Sequence, residues 1–189
     1  MALTTIDPTS ALVVVDLQRV TTSFPAAHEM AVVVANATRL ADSFRAAGRP
    51  VVLTVADLND PPLGRNELSR PRTPVPAEAL ELVPGLQHEG DVVVRKRGWG
   101  AFVGTALEER LRELGVTHVV VVGLATGFGV ESTARQAYDA GFHVTLATDA
   151  MTGPVLAGHE HTVANVFRVL GETGTTDDVI ALLERPAAS

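Results

Sequence analysis

No cysteine occurs anywhere in the 189 residues, which excludes disulfides, cysteine metal sites and any thiol nucleophile. Aromatic residues make up only 4%, with one Trp and one Tyr, so an aromatic side chain near a ligand mouth is conspicuous. Basic residues are in deficit. Fifteen Lys and Arg stand against 22 Asp and Glu, and the formal charge of −7 disfavours nucleic acid and anionic membrane surfaces as partners. Long hydrophobic runs are missing too; none approaches the roughly 18 residues of a membrane span. No basic stretch followed by an apolar core opens the chain, so no secretory leader is expected and the expected compartment is the cytoplasm. What remains is 46% hydrophobic, enough to build one globular domain over residues 1–189.

Strand-like and helix-like segments alternate. Residues 11–15 form a short apolar run, as in a strand buried on both faces, and Asp16 follows. Met30, Val33, Val34, Ala37, Leu40, Ala41 and Phe44 recur at helical spacing within 27–47, with Gly48 and Pro50 as stop signals. Further strands are expected at 50–55, 92–94, 119–122 and 144–148. Further helices are expected at 77–82, 105–114, 130–140, 159–170 and 176–183. Thr105 with Glu108 reads as a capping box, and Thr176 as the cap of the last helix. Residues 56–76 carry five prolines and no clear period, as in a long loop over a site.

This alternation argues for a parallel sheet covered by helices on both faces, with ligands beyond the carboxyl ends of its strands. Asp16, Lys96 and the glycine-bearing turn 123–129 all fall at such ends. Standing alone, Asp16 also reads as a strand-end cap, and Arg95-Lys96-Arg97 as a solvated turn, with Arg97 able to meet a substrate carboxylate. The turn is not a phosphate loop, because Val130-Glu131 follows its last glycine where Lys-Ser/Thr is required. Ser132 lacks the Gly-x-Ser-x-Gly elbow of a serine hydrolase. His159 and His161 are two apart, so on a helix they diverge and read as surface or structural groups. Phe24, Trp99 and Phe128 lie near the expected mouth and suit an apolar pocket, whereas Phe102 reads as core.

Several pieces together resemble the isochorismatase-like hydrolases, a superfamily that includes nicotinamidases, N-carbamoylsarcosine amidases and isochorismatases. They are Val13-Val14-Val15-Asp16-Leu17-Gln18, Lys96 followed by Ala101-Phe102-Val103-Gly104-Thr105-Ala106-Leu107, Gly123-Leu124-Ala125-Thr126 through Val130-Glu131-Ser132-Thr133-Ala134, and Thr148-Asp149-Ala150. The resemblance implies an α/β fold: a six-stranded parallel sheet in a three-layer α/β/α arrangement. It implies assembly as a homodimer or homotetramer, and a cis peptide at Leu124–Ala125. It also implies a catalytic trio of Asp, Lys and Cys. Asp16 and Lys96 match the first two, and Gly129 stands at the position of the cysteine.

The thiol-free site points within that superfamily to the isochorismatase branch, which hydrolyses a vinyl ether and commonly lacks the thiol. Protonation of carbon followed by water attack on an oxocarbenium ion needs no enzyme nucleophile. The expected reading is therefore a hydrolase of a small organic substrate. Asp16 is its general acid, steadied by Gln18 or nearby backbone, and Lys96 is the stabilising cation. Water is expected in the space left at Gly129. Gln18, Phe24, Trp99, Leu124, Ala125 and Phe128 are expected at the substrate. The alternative is a silent member that keeps the pocket to bind a ligand or partner. No metal or cofactor is expected, since Asp57-Leu58-Asn59 lacks the histidine of the nicotinamidase Asp-x-His pair.

Overall fold

The computed structural model describes residues 2–61, 63–65 and 73–185; part of the expected loop 56–76 therefore lies outside the described residues. Six strands form one sheet: β1 (Ser10–Val15), β2 (Val51–Ala56), β3 (Val92–Lys96), β4 (His118–Leu124), β5 (His143–Thr152) and β6 (Glu172–Gly174). Their order is β3-β2-β1-β4-β5-β6, and every pairing is parallel. The helices are α1 (Met30–Ala46), α2 (Leu107–Glu113), α3 (Glu131–Asp139), α4 (Leu156–His161), α5 (Arg168–Leu170) and α6 (Thr176–Leu183). A wide helical turn, Thr162–Phe167, joins α4 to α5, and another, Thr126–Val130, leads into α3.

Strand residues alternate between two cores because successive side chains point to opposite faces. Val13, Val15, Val119 and Val121 pack with Leu107, Leu111, Ala134 and Phe167. Leu12, Val14, Val120 and Val122 pack on the other face with Leu40, Phe44 and Val179. These are the three layers the sequence pattern implies. β1 and β4 are buried throughout, which is why they read as unbroken apolar runs. The chain winds from β1 out to β3, then returns to place β4 on the other side of β1. The switch point therefore lies between β1 and β4, where a cleft is expected.

Some boundaries differ from those expected. The β6 strand was not anticipated segment by segment; it is three residues of Glu-Thr-Gly on the sheet edge, without an apolar signal. β5 runs past Asp149 to Thr152, with a register shift against β4 between Val121 and Gly123. Asp149 is thus within the strand. Its carboxylate accepts from Thr176 N–H (2.7 Å), Thr176 Oγ1 (2.9 Å) and Asn36 Nδ2 (3.3 Å), tying β5 to α6 and α1.

Two caps also differ. Thr105 caps α2 without the expected box: its hydroxyl accepts from Leu107 N–H (3.2 Å) while donating back to Ala101 O (2.6 Å), but Glu108 lies 3.7 Å from Arg112 instead of closing on Thr105. The last helix is capped by Thr175 in a reciprocal box with Asp178, one residue before the expected Thr176.

Candidate active site

Three adjacent strands each supply one side chain to a buried polar cluster. Asp16 follows β1 with a positive φ of 50°, the only such non-glycine among the described residues, a conformation that costs roughly 1 kcal/mol or more and tends to sit at functional sites. Lys96 ends β3, and its Nζ lies 2.7 Å from Asp16 Oδ2. The same ammonium donates to Gly98 O at 3.1 Å. Thr54, on β2 between them, donates its hydroxyl to Asp16 Oδ1 (2.6 Å) and accepts from Asp16 N–H (3.1 Å). Lys96 is 2% exposed and Asp16 8%, so the pair is held out of bulk water.

Gln18 takes no part in this cluster. It is fully buried; its Nε2 donates to Ala56 O (3.0 Å) and Leu80 O (2.5 Å), and its Oε1 accepts from Ala56 N–H (2.9 Å). It pins the loop after β1 to the end of β2 and does not line the cleft. The expectations that Gln18 touches substrate and steadies Asp16 are both corrected. Thr54 steadies the acid instead, a role hidden in the apolar run of β2.

The pair opens into a cavity of about 300 Å³ that also reaches Phe24, Trp99, Leu124, Ala125, Phe128 and Gly129. Apart from Gln18, the residues expected at the site are therefore brought together. Leu124–Ala125 is cis, as the resemblance implied. Trp99 and Phe128 meet edge to face at 5.1 Å between ring centres, and about half of each ring is exposed. Phe102 packs in the core beside Phe142. Met30, Leu58 and Pro154 complete the apolar lining; nothing in their sequence context marked them.

Gly129 is closer-packed than expected. A Cβ built there would lie 2.7 Å from Leu124 O, 3.0 Å from Val15 Cγ1 and 3.5 Å from Trp99 O. No side-chain-sized gap exists beside it, which corrects the expectation of a space left there for water. The hydroxyls in the lining are engaged. Thr21 Oγ1 donates to Asp16 O (2.5 Å), and Thr152 Oγ1 receives the His28 N–H (3.2 Å).

Two histidines stand behind the wall. His28 Nδ1 bonds Thr152 Oγ1 (2.9 Å), His159 Nδ1 bonds Thr126 Oγ1 (2.8 Å), and the rings meet edge-on at 4.6 Å. Burial, then the neighbouring His28, holds His159 below the ordinary histidine value. His159 is thus structural, as its spacing suggested, but it braces the turn that carries Gly129. Among the described residues no group of three His, Asp or Glu side chains converges in metal-ligand geometry. Asp57 is held by Asn59 N–H (2.9 Å) and Arg95 Nη2 (2.5 Å).

Comparison with known proteins follows the same lines. The Isochorismatase domain model matches residues 10–178. An uncharacterized isochorismatase family protein of Bacillus subtilis, YwoC, is 36% identical over 182 residues, covering 90% of this chain and 92% of its own. YecD of Escherichia coli O157:H7, described in the same words, is 34% identical over 188 residues, covering 93% and 96%. Nicotinamidase 3 of Arabidopsis thaliana is 36% identical over a shorter stretch of 90 residues, covering 48% and 46%. The solved structure of an isochorismatase family protein from Burkholderia thailandensis superposes with a TM-score of 0.90 at 36% identity, covering 96% and 98%. Matched along nearly its whole length in sequence and in fold, the chain belongs to the isochorismatase family of hydrolases.

Proposed function

We propose that this protein hydrolyses a small vinyl ether of the isochorismate type, without a covalent enzyme intermediate. The observation that carries the reading is at position 129. The residue in the cavity beside the Asp16–Lys96 pair is a glycine whose Cβ direction is closed by Leu124 O, and the neighbouring hydroxyls are already committed. A thiol-type attack on an amide has no agent here, although Nicotinamidase 3 bears an amidase name.

Vinyl ether hydrolysis suits the groups present. Asp16 enters the cycle protonated and delivers that proton to the terminal carbon, and positive charge develops at the ether carbon. The Asp16 carboxylate left behind offsets that charge, while Lys96 and Thr54 hold the carboxylate in place. Water from the cavity adds to the cationic carbon and returns a proton to Asp16. The hemiketal then collapses to a ketone and an alcohol. The apolar lining keeps bulk water from competing for the proton.

Deuterium labelling tests this. In D2O, turnover of an enolpyruvyl ether should place one deuterium on the methyl group of the pyruvate released. General acid catalysis is worth about 10²–10⁴-fold, so Asp16→Asn should slow turnover by that order. Unchanged turnover in Asp16→Asn, or amide cleavage with no enol ether cleavage, would overturn the proposal. Binding of a saturated analogue without turnover would identify a family member that keeps the pocket only to bind.

A further inference from the structure

Two chambers open onto the Asp16–Lys96 pair, and their chemistry differs. The first is the apolar cavity of about 300 Å³ lined by Phe24, Met30 and Phe128. The second, of about 440 Å³, is lined by Asp57, Arg97, Ser132 and Gln136. Asp16, Lys96, Leu58 and Trp99 belong to both. Leu58 and Trp99 thus form the partition, and the reactive pair lies at the junction.

Hydrogen-bond accounting of the second chamber is one-sided. The oxygens of Asp57 and Gln136 are engaged, and Asp60 is ion-paired. Asp57 is held by Arg95 and Asn59, and Asp60 lies 3.6 Å from the same Arg95. Gln136 Oε1 accepts from Phe102 N–H (2.9 Å) and Val103 N–H (3.4 Å), which fixes the amide orientation. Its donors are not spent. Gln136 Nε2 and the Ser132 hydroxyl have no partner among the described residues, and the Arg97 guanidinium has one bond there, to Pro61 O at 3.2 Å. A chamber with free donors and committed acceptors suits an acceptor-rich, anionic group.

We infer that the substrate is two-ended. Its apolar alcohol portion occupies the first chamber, its carboxylate-bearing enol end enters the second, and the scissile bond crosses between Leu58 and Trp99. Arg97, Ser132 and Gln136 are specificity residues that read the carboxylate. This orientation rests on the ether-hydrolase reading, but the assignment of the two chambers is tested by binding alone.

The probe is 2-phenoxypropanoate, a saturated ether acid that cannot be hydrolysed by this route, compared with its methyl ester by calorimetry. The acid should bind about tenfold or more tightly than the ester, the scale of a charge-assisted hydrogen bond. Arg97→Ala should abolish that preference; Arg97 is exposed, so the fold should be retained. Gln136→Glu keeps an oxygen for Phe102 N–H, replaces the free donor by an acceptor, and should also abolish it. Phe128→Ala should weaken acid and ester alike. Failure to bind either probe, absence of the acid preference, or its persistence in both variants would overturn the inference. If the acid is preferred but phenyl enolpyruvyl ether is not cleaved, hydrolysis fails and the chamber assignment stands. If phenyl vinyl ether, which lacks the carboxylate, is cleaved as fast as the enolpyruvyl ether, hydrolysis stands and the chamber assignment falls.

Discussion

Thr54 is where the acid is most easily disturbed without touching it. Its hydroxyl both donates to and accepts from Asp16, and Val would keep the shape while deleting both bonds. A buried carboxylate and N–H that lose a partner cost about 1–3 kcal/mol each way they are left unmet. Thr54→Val should therefore lower kcat by roughly tenfold with little change in KM, read in steady-state assays on the enol ether. Equal loss in KM alone would show that Thr54 shapes the pocket rather than the acid. Gly129→Cys poses the complementary question. The new Cβ meets the carbonyl oxygen of Leu124 at 2.7 Å, a backbone atom with little freedom to move. The variant should melt lower, by an overpacking cost of about 1–3 kcal/mol, and should gain no amidase activity. Efficient acylation of that thiol by an amide would show that the turn relaxes far more readily than its packing implies.

At the scale of elements, what the sequence revealed depended on how much side-chain signal each segment carries. β1 and β4 are buried on both faces and announced themselves as apolar runs; Asp16 stood out at a strand end, but it took the family resemblance to weigh it against a cap and to pick Lys96 from Arg95-Lys96-Arg97. β6 was invisible because an edge strand of Glu-Thr-Gly buries little. Its neighbourhood is nonetheless tightly fitted: a Cβ on Gly171 would lie 2.0 Å from Val144 O, a backbone atom of β5. Gly171→Ala should push β6 off the sheet edge and lower stability by about 1–3 kcal/mol while leaving cleft chemistry intact, since neither cleft chamber includes β6. Faster amide exchange confined to 172–174 and its β5 partners would show this; a matching loss of activity would contradict it. Gly123 is a second such position, with φ of +106° and a built Cβ 2.2 Å from Val15 O, so β1 and β4 approach closely only because no side chain intervenes. Thr105 was legible in part: its hydroxyl accepts from Leu107 N–H as a cap does, but Glu108 turns to Arg112 and the box does not close. The committed acceptors and free donors of the second chamber were unreadable, because they depend on pairings such as Gln136 with Phe102 that only the fold creates.

For the molecule as a whole, one buried and one half-buried histidine set how stability responds to mild acid. His118 begins β4 and accepts the Asp7 N–H at Nδ1 (3.2 Å), which leaves Nε2 to donate to Thr145 Oγ1 (2.9 Å). Burial pulls its pKa below the ordinary 6.5, against the opposing pull of Asp7. His159 is lowered in the same direction, by burial and then by His28. A histidine whose pKa is depressed by folding binds fewer protons folded than unfolded between the two values. The folded state is therefore fully favoured above about pH 6.5 and loses stability as pH falls through that value. Glu172 and Asp178, held below their ordinary values of 4.5 and 3.8 chiefly by bonds from Thr4 and Thr175 that outweigh burial where it opposes them, contribute in full above about pH 5 and lose that contribution only as pH falls below it. The histidine effect is thus isolated between about pH 7.5 and about pH 5, where Tm should fall steadily. Replacing His118 and His159 together by Gln removes both titrating groups while keeping a polar side chain at each site, and should flatten that part of the profile even if it lowers Tm throughout. A parent protein whose Tm is level across this window, or a double variant that keeps the parent's slope, would show that other groups set the acid response.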